Sequence, residues 1–254
     1  KITIENLYRY AGVPFKLYII DNNSNQETKD YLKKLESEKN NLKIFWQKEN
    51  IGAAGARIIG LQNSVNKFVA FLDNDLIIMP GYFEHLLETI KIDEKVAGVQ
   101  SKVIFPNSRI QINRPDYLLE EKNIIFFFFV KNKKFYDKSS FERVECKWIG
   151  IGATLWRRSV FEKANFDLDM RSNYEDNDLS YRVSKSGYLL YNSPDSLALH
   201  VSAQFDIVAM KDSDYVDGRF KTEKMRESAK RFFNKHNLIF FFEHKAGFAK
   251  YLGF

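Results

Sequence analysis

The chain has 254 residues, 44% of them hydrophobic and 15% aromatic, and a formal charge of +6. That composition marks a globular protein with material for one large α/β domain, or one domain with a small appendage. Its longest wholly apolar run, 124–130, is far short of the roughly 20 residues a bilayer-spanning helix needs, and one cysteine, Cys146, allows no internal disulfide, so a cytoplasmic location is expected.

The chain opens at 1–10 with a helix-like segment, and an apolar run at 15–20 then ends at Asp21-Asn22-Asn23-Ser24, turn chemistry after a strand. Helical spacing through Tyr31, Leu32 and Leu35 covers 26–39, and 42–46 reads as a second strand. Small residues after Asn50 start another helix, which leads to the buried-looking strand 68–72. Such alternation predicts a mostly parallel sheet with helices on its faces and ligands beyond the carboxyl ends of the strands. The acidic loops Asp21-Asn22-Asn23-Ser24 and Asp73-Asn74-Asp75 both follow strands, so they are expected at one edge of the sheet.

Further along, 98–105 reads as a strand and the aromatic stretch 117–145 has hairpin or loop character. Residues 148–161 look like a glycine-bearing strand passing into a helix, and 176–186 like a helix stopped by Gly187. The last strands are expected at 189–191 and 197–201. A domain boundary falls after about residue 205. Beyond it, 219–236 reads as a basic helix with apolar positions at Met225, Ala229, Phe232 and Phe233, and the aromatic, basic end suits an interface.

Two carboxylates at i and i+2, Asp73 and Asp75, can hold a hard divalent cation that bridges diphosphate oxygens, although a turn after a strand uses the same residues. Glu175, Asp176 and Asp178 crowd a helix start, where the helix dipole favours acids with no catalytic role. His200 ends an apolar run, as a packed histidine or as a further ligand beside carboxylates.

In order and spacing these pieces resemble glycosyltransferase family 2, the nucleotide-sugar transferases of the GT-A fold. The resemblance covers about 5–205 and rests on Asp21-Asn22-Asn23-Ser24, Asn50-Ile51-Gly52-Ala53-Ala54-Gly55-Ala56-Arg57, Phe71-Leu72-Asp73-Asn74-Asp75 and Trp148-Ile149-Gly150-Ile151-Gly152. It continues through Glu175-Asp176-Asn177-Asp178 to His200. It implies an α/β, Rossmann-like catalytic domain over 1–205 and a small helical tail over 206–254. Family members normally start with a central strand before the first helix, so residues upstream of Lys1 are expected to supply one.

The implied roles follow residue by residue. Asp21 resembles the acid that contacts the nucleotide base, with Asn50 and Arg57 near the same nucleotide. Asp73 resembles the residue that meets the ribose or metal-bound water, Asp75 the carboxylate on Mn2+ or Mg2+, and His200 a further metal ligand. Asp176 resembles the catalytic base and Glu175 its neighbour that orients the acceptor.

The expected reaction is inverting transfer from a UDP- or dTDP-type sugar to a glycan or lipid-linked saccharide, in bacterial surface polysaccharide or glycoconjugate synthesis. The expected place is the cytoplasm, at the inner face of the membrane where the tail touches it.

Rival classes fit less well. A haloacid-dehalogenase-like phosphatase needs Thr or Val where Ile77 stands. A sugar nucleotidyltransferase needs a Gly-rich basic loop near the first strand. A nucleic-acid-binding module leaves Asp73, Asp75, Glu175, Asp176 and His200 idle, so no nucleic-acid partner is expected.

Overall fold

The computed structural model describes residues 1–104, 110–111, 118–121, 124–127, 142–170, 174–201 and 222–238. Helix α1 (Ile2–Tyr10) leads to β1 (Leu17–Asp21), α2 (Gln26–Glu38), β2 (Leu42–Trp46), α3 (Gly52–Asn63) and β3 (Phe68–Leu72). Short β4 (Leu76–Ile78), α4 (Tyr82–Ile90) and long β5 (Val96–Ile104) follow. After β6 (Ile110–Gln111), the strands β7 (Leu118–Glu121) and β8 (Ile124–Phe127) pair antiparallel, so the aromatic excursion carries a hairpin. Then come β9 (Glu145–Cys146), β10 (Ala153–Arg157), α5 (Glu175–Lys185), β11 (Leu189–His200) and α6 (Thr222–Lys235).

The large sheet runs β3-β10-β5-β11-β4. Strands β3, β5 and β11 share one direction, β10 and β4 run against them, and β1 pairs with β2 in parallel. Among the described residues β1 pairs only with β2, and β3 only with β10. The α/β class read from the alternating pattern is the class observed.

Side-chain alternation along the strands sorts the core into two layers. On β10, Leu155 packs with Leu7, Leu86 and Ile90 of α1 and α4, while Trp156 faces Leu61, Phe161, Leu179 and Val183 on the α3 and α5 side. Gly98 makes room for that indole, since a Cβ there would stand 2.8 Å from the Trp156 ring. Arg157, almost wholly buried, donates to the carbonyls of Ile90, Asp93 and Val96, and so satisfies acceptors at the end of α4 and the turn after it.

Two local expectations are corrected, and the packing of the tail helix is defined. The segment after Ala153–Arg157 closes as a 3-10 turn over Arg158–Glu162 and not as an α-helix. The two final strands are one, because β11 stays paired with β5 on both sides of a register shift between Ser193 and Leu197. That irregularity absorbs the Pro194-Asp195 turn signal. Helix α6 lays Ala229, Phe232 and Phe233 against Trp148, Met170, Tyr174 and Tyr181, which is packing onto the α5 side of the molecule. Residues 206–221 and 239–254, on which the membrane and interface reading of the tail rests, lie outside the described residues.

Candidate active site

Strand ends and helix starts assemble the candidate site. Asp21 closes β1; it is 3% exposed and accepts from the Ser24 backbone N–H, an Asx turn that Asn23 completes with φ of 65°. Asn50 accepts from Gly52 N–H at 2.9 Å, which fixes the entry to α3, and Asn22 Nδ2 donates to the Gly52 carbonyl. The two loops expected on the nucleotide side are thus tied together.

The β3–β4 turn carries Asp73 and Asp75 apart in function. Asp75 Oδ2 stands 3.4 Å from His200 Nε2, and the backbone clamps this pair because Val201 N–H donates to the Asp75 carbonyl at 2.7 Å while His200 registers with Leu76. Ligands in adjacent positions on one ion, each at about 2.1 Å, stand about 3 Å apart, so this carboxylate and imidazole fit a hard divalent cation. Among the described residues no group of three or more His, Cys, Asp or Glu converges on one point. Two protein donors suit an ion that takes its remaining ligands from substrate phosphates and water.

Asp73 turns the other way. Its Oδ1 lies 3.3 Å from Arg57 Nη2, and its backbone N–H donates to the Gly152 carbonyl at 2.7 Å. Its carboxylate occupies the space that a side chain at 152 would fill, with Oδ2 2.0 Å from where a Cβ would sit. The sequence assigns Gly152 no role, and its alternation with Gly150 is the one local signal of a special backbone position there.

The other side of the site is built by the first turn of α5. Tyr174 precedes it with φ of 72°, a left-handed conformation costly for an aromatic residue, and its ring packs 5.6 Å from Phe232 of α6. Glu175 is buried and sits 3.6 Å from Arg57 Nη1; Asp176 Oδ1 is 4.0 Å from the same nitrogen. The Ile151 N–H donates to Asp176 Oδ2 at 3.3 Å, and Ser180 accepts from Ile149 N–H, so the 148–152 loop is pinned along α5.

Burial, and then the neighbouring Glu175 charge, push the Asp176 carboxyl up to about 7, against the opposing pull of Arg57 and the Ile151 N–H. The Arg57 guanidinium is held charged against its own burial by Asp176, Asp73 and Glu175. A carboxyl raised toward neutrality is suited to general base work.

Asp178, the third acid of the run, faces away. It is fully buried and takes Arg182 Nε and Nη2 at 2.9 and 2.6 Å, Lys235 Nζ at 2.8 Å and His236 Nε2 at 2.8 Å. These partners hold its pKa well below the ordinary carboxylate range, led by the His236 bond among the favourable contacts and opposed by burial. Its work is anchoring α6 to α5, which the sequence did not reveal.

Comparison with known proteins agrees with this fold. The structure of GalNAc-T7 with UDP, GalNAc and Mn2+ superposes with a TM-score of 0.60 at 16% identity, over 93% of this chain and 51% of that one. The mannosyltransferase PcManGT from Pyrobaculum calidifontis, in complex with GDP-Man and Mn2+, gives 0.55 at 15% identity, over 78% and 52%. S. aureus TarS gives 0.57 at 17% identity, over 91% and 36%.

At these identities the likeness establishes the GT-A fold, and the chain spans about half the length of the first two. No curated protein sequence matches. The model of glycosyl transferase family 2 matches residues 1–158, more than half of the 254, and on that ground the chain belongs to glycosyl transferase family 2.

Proposed function

We propose that this glycosyltransferase works by inversion, with Asp176 as the base and Asp75 with His200 as protein ligands of Mn2+ or Mg2+. The observation that carries the reading is the pairing, along one edge of the sheet, of a carboxylate–imidazole couple at 3.4 Å with a carboxyl pushed up to about 7. The two are linked through the Asp73–Arg57–Asp176 contacts. Mn2+ in two of the similar structures supports a divalent ion here.

Each residue then has a task. Asp176 takes the proton from the acceptor hydroxyl as that oxygen attacks the anomeric carbon. The bond from that carbon to the diphosphate oxygen breaks on the opposite face, and the electron pair leaves with the diphosphate, so the configuration inverts. A bound divalent ion supplies charge neutralisation for the departing diphosphate. Asp21 and Asn50 border the place of the nucleoside, Asp73 meets the ribose side, and Glu175 orients the acceptor.

In this reading the donor is of UDP or dTDP type and the acceptor is a glycan or lipid-linked saccharide of bacterial surface polymer synthesis. Residues 1–205 form the catalytic unit, and 206–254 a tail that reaches the inner face of the cell membrane. Among the described residues no helix is long and apolar enough to cross a membrane. Peripheral contact by the tail predicts flotation with anionic liposomes at low salt and its loss at high salt.

The decisive test is a thermal-shift screen of UDP-, dTDP- and GDP-sugars with and without Mn2+. A UDP- or dTDP-sugar should raise the melting temperature only with the metal, by mass action on the folded state. No response to any of them, with no donor turnover, would overturn the reading.

A further inference from the structure

We infer that Arg57 is a positioning residue for the transfer, fixing the base-bearing end of α5 against the Asp73–Asp75 turn. The inference rests on the reading above, which makes Asp176 the base and Asp75 a metal ligand. The guanidinium rises from α3 between two segments that are about 100 residues apart in sequence. Its Nη2 meets Asp73 Oδ1 at 3.3 Å, while its Nη1 meets Glu175 Oε1 at 3.6 Å and Asp176 Oδ1 at 4.0 Å. Its plane lies over the Phe166 ring, 5.8 Å from the centroid, and the side chain is only 13% exposed.

One cation thus faces three carboxylates from both sides of the cleft. Two nitrogens of a rigid planar fork can address the two sides at once; a single ammonium on a flexible stem cannot. Without the cation, three acids in a half-buried space repel one another, and only the 148–152 loop, through Asp73 N–H to Gly152 and Ile151 N–H to Asp176, is left to oppose that repulsion.

Other contacts already fasten the fold here. Leu179 and Val183 bury α5 in the main core, and Asp178 ties it to α6. What Arg57 adds is therefore the width of the cleft, a role apart from the nucleotide contact that the family resemblance implies. A misplacement of about 1 Å between base and donor carries a large rate effect, because the attacking oxygen must start about 3–3.5 Å from the anomeric carbon.

The test compares the full chain with Arg57→Lys and Arg57→Ala, measuring melting temperature, UDP affinity with Mn2+, and donor hydrolysis across UDP-, dTDP- and GDP-sugars. The expected result is a melting temperature within a few degrees of the parent and UDP affinity within about threefold. Turnover falls roughly tenfold or more for Ala and less for Lys, and added guanidinium ion restores part of the rate of the Ala variant alone.

Unchanged turnover would overturn the inference, as would matched losses of UDP affinity and rate without guanidinium rescue, which mark a nucleotide contact. If Arg57→Ala does not fold, the Lys variant decides by the same split of rate from affinity; if neither folds, Arg57 is a structural bridge and the inference fails. A parent protein that binds and turns over no nucleotide sugar would overturn the underlying reading itself, a result distinct from any variant effect.

Discussion

His236 Nε2 lies 2.8 Å from Asp178 Oδ1, a contact across 58 residues of sequence onto a carboxylate with no exposed surface. Asp178→Ala should cost about 3–5 kcal/mol, because it leaves Arg182, Lys235 and His236 without their shared acceptor; His236→Ala should cost about 1–3 kcal/mol. Urea melts at neutral pH would read both.

The acid limb of stability has a sign fixed by the same carboxylate. Its folded pKa is depressed, so its contribution is present above the ordinary carboxylate value of 3.8 and is lost as pH falls through the lower folded value. Below about pH 4 the parent protein should therefore lose urea resistance faster than Asp178→Asn does, while above it the two should run parallel. Parallel curves below pH 4 as well would refute this.

For Asp176→Asn we expect turnover to drop by about 10²- to 10⁴-fold while UDP binding with Mn2+ survives. Since burial and Glu175 raise the Asp176 pKa to about 7, the carboxyl is protonated below that value, and the parent rate should climb as pH rises through it. The Asn variant should lack this limb. A parent pH–rate profile flat from 5 to 9 would remove the residue from the base role.

Removing the cation should stop transfer. EDTA is expected to abolish donor turnover, and Mn2+ or Mg2+ to restore it; Asp75→Asn and His200→Ala should each weaken metal-dependent UDP binding by about tenfold or more in calorimetry. Full activity in EDTA would contradict the assignment of this pair.

Two glycines separate site from scaffold. Gly152→Ala places a Cβ 2.0 Å from Asp73 Oδ2, so the carboxylate must move and turnover should fall about tenfold with little change in melting. Gly98→Ala instead meets the Trp156 ring at 2.8 Å inside the core and should cost about 1–3 kcal/mol of stability. Measuring melting temperature and rate on both variants would expose a reversed pattern.

The α/β alternation was legible because strand runs such as Phe68–Leu72 and helices such as Gln26–Glu38 state their period locally. The bulge in β11 was not, since Pro194-Asp195 is turn chemistry and only pairing with β5 carries the strand through it. The acids of the cleft could be named from their order, but their division of labour could not. Whether an acid meets imidazole, guanidinium or a distant helix is decided by residues 16 to 125 positions away: Arg57 from Asp73, Lys235 from Asp178, and His200 from Asp75. A run of three acids is one feature in a sequence and two opposed surfaces on a helix.

That opposition limits how the molecule can be re-engineered. Successive acids on the opening turn of α5 serve cleft and tail by turns, with Asp176 toward the Ile151 N–H and Asp178 toward His236. A chimaera that borrows the C-terminal helix from another protein would have to bring α5 along, because a twist of α5 at the new seam also moves Asp176.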